Sequence, residues 1–212
     1  RKTLATMSAE LSADFATFEP DQIMLDYIQQ RTSEPFEAQY PDADATYADV
    51  REVNLEAIEP LVALPDSVLN NSRPIGAVVG TKIDQAFIGS CANGTLEDLE
   101  IAAKVLAGRR VNASVRLIIT PASQAIYREA LRQGIVSTLV EAGALVTPAT
   151  CGACGGGHLG VLAAGETCIT ASTRNFKGRM GDPSARIFMA SPATVAASAV
   201  HGVISDPRDI LA

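Results

Sequence analysis

The sequence is short of basic residues, of cysteine and of long apolar runs, and each shortage closes off a class of function. Its 17 Lys and Arg are outnumbered by 24 Asp and Glu, for a net charge of -7, and no basic stretch is denser than Arg109-Arg110. Phosphate backbones are held by clustered cations, so no nucleic acid partner is expected. The most apolar stretches, Ala142 to Val146 and Ile187 to Ala190, are bounded by Gly, Pro or charge. They fall well short of the roughly 20 apolar residues that span a bilayer, so a soluble chain with no membrane partner is expected. Arg1-Lys2-Thr3-Leu4 leads into no apolar h-region and no small-residue cleavage site, which argues against a secretory signal and for a cytoplasmic address. The chain opens on Arg1 rather than Met, and is expected to be a piece whose activity needs residues beyond it. Four cysteines, Cys91, Cys151, Cys154 and Cys168, are too few to staple 212 residues, so metal or redox chemistry outranks disulfides. No repeat of fixed period is present, which excludes a solenoid. At 47% hydrophobic and 19% charged, the chain is long and apolar enough for a real core.

Residues 1 to 74 are acidic and interrupted by Pro20, Pro35, Pro41, Pro60, Pro65 and Pro74, and read as the remnant of a preceding domain with its linker. Within them, Asp21 to Arg31 sets Ile23, Met24, Tyr27 and Ile28 on one face, which predicts a short amphipathic helix. Tyr47 to Leu55 alternates as a strand would. Pro60 to Pro74, closing on Asn70-Asn71-Ser72-Arg73-Pro74, has turn chemistry and marks the boundary. From Ile83 onward, short apolar runs alternate with helical patterns, the signature of βαβ units. Strands are expected at Gln85 to Gly89, Val115 to Ile119, Ala144 to Val146, Cys168 to Ala171 and Ile187 to Ala190. A turn is expected at Ser90 to Gly94, and helices at Leu96 to Ala107, Gln124 to Gln133 and Pro192 to Val200. The predicted fold is α/β, a three-layer domain over residues 75–212 on a mostly parallel sheet, preceded by a partial α/β segment over 1–74.

In an open α/β sheet, ligands bind beyond the carboxyl ends of the strands, and the unusual residues of this chain collect there. Cys91 lies just past Gly89, Cys151 and Cys154 follow the third strand in TPATCGACGGGHLG, and Arg174 and Arg179 follow the fourth in STRNFKGRMG. A CxxC pair suits zinc, an iron-sulfur cluster or a redox dithiol. Gly155-Gly156-Gly157 makes a loop where a redox pair needs a helix start. A closed zinc site from Cys91, Cys151, Cys154 and His158 is permitted chemically but leaves the arginines without a role. For Cys168, flanked by Ile169 and Thr170, a small buried hydrophobe is the preferred reading. Three thiolates on a cubane cluster leave its fourth iron open to a substrate hydroxyl and carboxylate. Glycines beside the thiols let backbone N–H groups approach the sulfurs. Two guanidinium forks nearby imply a di- or tricarboxylate substrate, although an arginine taken alone is more often a surface ion-pair residue.

These residues resemble the aconitase superfamily and, within it, the isopropylmalate dehydratase and homoaconitase branch. The likeness is carried by IDQAFIGSCANGTLEDLEIAA (83–103), TPASQAIY (120–127), EAGALVTPATCGACGGGHLGVLAAGE (141–166) and RNFKGRMGDPSARIFMASPATVAASAVHG (174–202), and more weakly by RKTLATMSAE (1–10). It covers most of the chain, and the order GSCxNG, CGxC, RNFxGR is far more specific than any one motif. The resemblance implies a [4Fe-4S] hydro-lyase that moves a hydroxyl between adjacent carbons by dehydration and rehydration. It implies Cys91, Cys151 and Cys154 as cluster thiolates, Arg174 and Arg179 as substrate-carboxylate arginines, and Glu10 as a catalytic acidic residue near the active-site water. His158 falls in the family's glycine-histidine stretch, where a structural role is expected. The resemblance also implies catalytic Asp-His pairs N-terminal to Arg1 and a separate small subunit with the swivelling domain and its serine, so that this chain alone does not turn over. The substrate it points to is 3-isopropylmalate, in leucine biosynthesis, with homoaconitase-type or methylmalate-type acids as alternatives. From a different class comes a scaffold that kept the fold and lost the chemistry; an RNA-binding role is disfavoured by the acidic balance. Thr6 and Thr173 stand where asparagines are usual, Ala92 where Thr is usual, and Ala153 where Pro is usual. A threonine donates one hydrogen bond where an amide donates two.

Overall fold

The computed structural model describes residues 1–157 and 159–211. The chain divides into two compact units, Arg1–Ala57 and Ile58–Ala212. The first holds α1 (Lys2–Met7), a 3₁₀ turn at Ser8–Leu11, α2 (Gln22–Gln29) and a second 3₁₀ turn at Leu55–Ala57. Asp21, the first residue of the expected helix, instead caps α2 by accepting from the Met24 backbone N–H at 2.9 Å. Arg1 pairs with Asp21, and the Lys2 ammonium meets the Tyr27 hydroxyl at 2.6 Å, which ties α1 to α2. The strand expected at Tyr47 to Leu55 is absent: residues 47–54 have no regular structure. Alternation alone does not make a strand, because its backbone groups need a neighbouring strand to bond to, and no strand is described in residues 1–57.

The second unit is built on β1 (Leu61–Ala63), β2 (Ser72–Pro74), β3 (Gln85–Gly89), β4 (Arg116–Thr120), β5 (Leu145–Val146), β6 (Thr167–Thr170) and β7 (Arg186–Met189). They form one sheet in the order β2-β1-β7-β6-β3-β4-β5. The five strands from β7 to β5 are parallel, with Phe87 opposite both Ile118 and Thr170, whereas β1 pairs antiparallel to β2 and β7. The break between units therefore falls at Ala57/Ile58, upstream of the expected boundary near residue 74. The Pro60 to Pro74 stretch looked like linker because its strands are three residues long, too short to alternate, and because Pro74 is tolerated only at the sheet edge where it lies.

The helices of this unit are α3 (Ser90–Asn93), α4 (Leu96–Leu106), α5 (Gln124–Arg132), α6 (Ile135–Glu141), α7 (Pro192–His201) and α8 (Arg208–Leu211). Thr95 and Asp98 close a capping box on α4, Ser123 caps α5, and Ser191 with Pro192 opens α7. The sequence reading missed α6, whose β-branched residues favour helix weakly. It forms because Ile135, Val136 and Leu139 enter the core.

Successive strand residues feed the two faces of the sheet in turn, the period-2 rule. Ala86, Ile88, Leu117, Ile119, Ile169 and Phe188 join the large cluster that includes Leu99, Leu139, Val195 and Ala199 of the helices. Phe87, Ile118, Cys168 and Ile187 point the other way, into a smaller cluster with Ala153, Cys154, Leu162, Met180 and Ala185. Helices thus cover one face, and the irregular chain carrying the CxxC motif covers part of the other.

At the amino end of the sheet, Glu166 accepts from the Arg116 guanidinium and the Ala163 N–H, both at 2.8 Å, while Gln85 donates to the Gly160 carbonyl at 2.9 Å. The Arg116 guanidinium holds the Glu166 carboxyl below its ordinary range. A lowered carboxylate gives stability that is present above its unfolded value, about pH 4.3, and is lost as pH falls through the folded one. Solvent screening keeps this pair's share under about 1 kcal/mol. Glu166→Gln is expected to cost that amount near neutrality and nothing at the acid end, which urea melts at both pH values would show.

Candidate functional site

The chain winds from β3 to β4 and β5 on one side, then returns to β6 and β7 on the other, so its direction reverses at β3. The crevice beyond the carboxyl end of such a strand is where α/β sheets bind ligands. Cys91 is placed there by a tight exit. Gly89 has φ 144°, Ser90 follows in the left-handed region at φ 63°, and α3 begins at once. A non-glycine residue held at positive φ is strained and persists only where its surroundings over-determine it. Here Asn93 donates its amide to the Ala171 carbonyl past β6, and the Ala171 N–H donates to Phe87 at 2.8 Å. The expected turn at Ser90 to Gly94 is this short helix, and Cys91 is exposed on it.

The CxxC loop leaves β5 along the neighbouring strand. The Thr147 N–H donates to Ile119 at 2.9 Å, and the Thr147 and Thr120 hydroxyls meet at 2.8 Å in the interior. The loop then turns through a 3₁₀ segment, Gly152–Gly155, with the Cys154 N–H on the Cys151 carbonyl at 3.2 Å. Gly152, at φ 55°, lies so close to β3 and β4 that a Cβ would meet the Thr120 hydroxyl and come within 3.0 Å of the Phe87 ring. Cys151 is exposed and Cys154 buried.

Arg179 reaches Cys154, its Nη2 donating to Sγ at 3.7 Å, while its Nε is buried without a hydrogen-bond partner. Arg174 is half-buried just after Thr173, which is buried past the end of β6. The structure therefore carries Cys91 on α3 after β3, Cys151 and Cys154 in the chain after β5, and Arg174 and Arg179 in the chain after β6. The donor set suits an iron-sulfur cluster, since thiolates are its ligands, and an unspent buried guanidinium N–H beside a thiol suits an anionic occupant. Among the described residues, however, no three Cys, His, Asp or Glu side chains stand close enough together to hold a metal ion. His158, the fourth ligand of the zinc alternative, lies outside the described residues. Two concavities, of about 240 Å³ beside Leu106, Arg109 and Glu141 and about 480 Å³ within residues 25–38, involve none of these side chains.

Glu10 sits in the first unit, in the 3₁₀ turn after α1. Thr6, in α1, gives its hydroxyl to the Lys2 carbonyl at 2.8 Å. Cys168 faces the interior at 0% exposure, and burial pushes its thiol up to about 12. A buried thiol with so little thiolate is inert. In native, cluster-free protein at about pH 8, alkylation is expected to be rapid at Cys91 and Cys151 and undetectable at Cys168 until urea is added, because only exposed thiolate reacts. Site-resolved mass spectrometry checks the order.

Two asparagines that the sequence reading passed over organise the site. Asn93 links the exits of β3 and β6, as above. Asn175, between the two arginines, is wholly buried, and its Nδ2 lies 2.6 Å from the Leu64 carbonyl and 3.3 Å from those of Ser67 and Ile187. The available signal was that both are amides just past strand ends, where converging carbonyls need donors; the carbonyls themselves are remote in sequence.

Comparison with known proteins places these features in a family. The model of the Aconitase family (aconitate hydratase) matches residues 1–78 and 68–202. The chain is 54% identical over 212 residues, its whole length, to the 3-isopropylmalate dehydratase large subunit of Mycolicibacterium smegmatis, of which it covers 50%. It is 46% identical over 210 residues to the protein of that name from a Sulfurihydrogenibium species, covering 99% of this chain and 48% of the relative. The probable methanogen homoaconitase large subunit of Methanothermobacter thermautotrophicus is 47% identical over 208 residues, covering 98% and 48%. The chain spans about half the length of these relatives.

Proposed function

The chain belongs to the aconitase family, and on that premise we propose that it is the cluster-binding portion of a hydro-lyase large subunit of the isopropylmalate dehydratase type. The observation that supports the reading is the Arg179 guanidinium donating to the Cys154 thiol at 3.7 Å, with Cys91 on α3 directly after β3, where the winding reverses. Cys91, Cys151 and Cys154 would hold a [4Fe-4S] cluster. When bound, the cluster supplies a Lewis-acidic iron for a substrate hydroxyl.

The chain's own side chains account for the rest of the substrate's chemistry. Arg174 and Arg179 present guanidinium forks to the carboxylates of a 2-hydroxy di- or tricarboxylate. The buried Arg179 Nε has no protein partner, which leaves a donor for a carboxylate oxygen. Glu10, in the 3₁₀ turn after α1, is assigned the acidic group of the reaction on the family resemblance alone. Cys154 is shielded by the apolar cluster of Phe87, Leu162 and Met180, which keeps bulk water off that side. The substrate is of the 3-isopropylmalate class, in leucine biosynthesis, and turnover requires a separate small subunit, as the words "large subunit" in the relatives' names indicate. A homoaconitase-type substrate is the second reading, favoured by the 47% identity to a relative of that name. The address is the cytoplasm; among the described residues no helix is long and apolar enough to cross a membrane.

The test is anaerobic reconstitution of the 212-residue chain, followed by iron and acid-labile sulfide analysis and a visible spectrum. About four irons per chain with oxygen-sensitive absorbance is the expected result. Zinc, or no metal, would overturn the cluster assignment.

A further inference from the structure

Asn175 stands between Arg174 and Arg179 in sequence, and its surroundings give it a task that neither arginine can perform. Its side chain is wholly buried, with its NH₂ turned to the carbonyls of Leu64, Ser67 and Ile187. Its backbone carbonyl accepts from the Asp66 N–H at 3.2 Å, while its side-chain Oδ1 is buried without a hydrogen-bond partner among the described residues. The residue thus joins three stretches of chain: the arginine loop, the interior of the sheet's outer parallel strand β7 at Ile187, and the loop linking β1 to β2.

That linking loop is itself drawn into a closed turn. Asn71 directs its NH₂ to the carbonyls of Leu64, Pro65 and Ser67 at 3.0 to 3.1 Å, so two asparagine amides converge on Leu64 and Ser67. Asp66 and Asn70 are held in the left-handed region within it, at φ 76° and 52°. Such strain persists only where contacts over-determine it. The convergence of two NH₂ groups on shared carbonyls is a contact of that kind. Arg174 is further held on its other side, where the Ser172 hydroxyl meets its carbonyl at 3.5 Å.

We propose that Asn175 is the positioning residue for the two arginines, acting by anchoring their loop to the β1–β2 loop that Asn71 closes. The proposal rests on the reading that Arg174 and Arg179 take substrate carboxylates. Asn175 needs no contact with substrate: it sets where the guanidinium forks can reach. Only a neutral amide of this length supplies two N–H donors to facing carbonyls; serine supplies one and is shorter.

The experiment compares the chain with Asn175→Ser and Asn71→Ser, read by amide hydrogen exchange and by binding of tricarballylate, a tricarboxylate without a hydroxyl. With Asn175→Ser, exchange is expected to accelerate across residues 64–69 and 172–181 while α4 and α7 keep their protection. Tricarballylate binding is expected to weaken about tenfold, the loss of roughly one hydrogen bond to a charged group. Combined with Arg179→Ala the losses should sum to less than the two taken singly, because part of the Asn175 effect acts through that arginine. Asn71→Ser, remote from the arginines in sequence, should also loosen 172–181. Unchanged exchange at 172–181 in a folded Asn175→Ser protein, or fully additive binding losses, would overturn the proposal. If Asn175→Ser does not fold, the exchange of Asn71→Ser decides. Failure of the unaltered chain to bind tricarballylate would instead overturn the carboxylate reading, and the exchange data would still decide whether Asn175 anchors the loop.

Discussion

Gly89→Ala is expected to cost the α/β unit more than about 4 kcal/mol, enough to unfold many domains of this size. A Cβ there would lie 2.8 Å from the Thr120 nitrogen and 2.9 Å from its carbonyl carbon, with the carbonyl oxygen nearer still. Backbone in a paired central strand cannot step aside, since Gly89 and Thr120 are register partners. The φ of 144° adds a conformation that L side chains rarely adopt. Gly108 is the control: it too has positive φ, but nothing lies within 4 Å of its would-be Cβ, so Gly108→Ala should cost only about 1 kcal/mol. Urea midpoints separate the two, and equal shifts would show that β3 and β4 have room to part.

Cys154→Ser is expected to remove most of the iron and the visible absorbance from reconstituted protein, whereas Cys168→Ser should leave both unchanged. The contrast follows from position. Cys154 sits in the 3₁₀ turn past β5 with the Arg179 guanidinium on its sulfur, while Cys168 is sealed in β6. A serine hydroxyl is a far weaker ligand than a thiolate for iron in a cluster. Iron retention at full stoichiometry in Cys154→Ser would remove that residue from the ligand set.

The central parallel strands were legible because they are buried on both faces and read as short apolar runs: QAFIG matches β3 residue for residue, and RLIIT of β4 is the expected VRLII shifted by one residue. The positions of the motif cysteines and arginines after strand ends were legible for a related reason. A βαβ pattern fixes which end of each strand carries the next loop, so their placement follows from local order. What failed to show were features resolved only by distant partners. Tyr47 to Leu55 had the alternation of a strand and lacked a neighbour, while Leu61 to Ala63 had a neighbour and too few residues to alternate. Asn175 reads as one more polar loop residue until Leu64, 111 positions away, presents its carbonyl.

The coil that closes the second face of the sheet has a further consequence. Leu162, Met180, Ala153 and Cys154 shield Phe87, Ile118 and Ile187 there, and they belong to the stretches that carry the motif thiols and Arg179. On the cluster reading proposed above, this lid would also be the metal handle, and the fold would be linked to metal supply: whatever binds only the folded form adds to its stability by mass action. Cofactor loss to oxygen would then register as exposed hydrophobic surface, and proteases that survey such surface would clear the spent chain while sparing the loaded one.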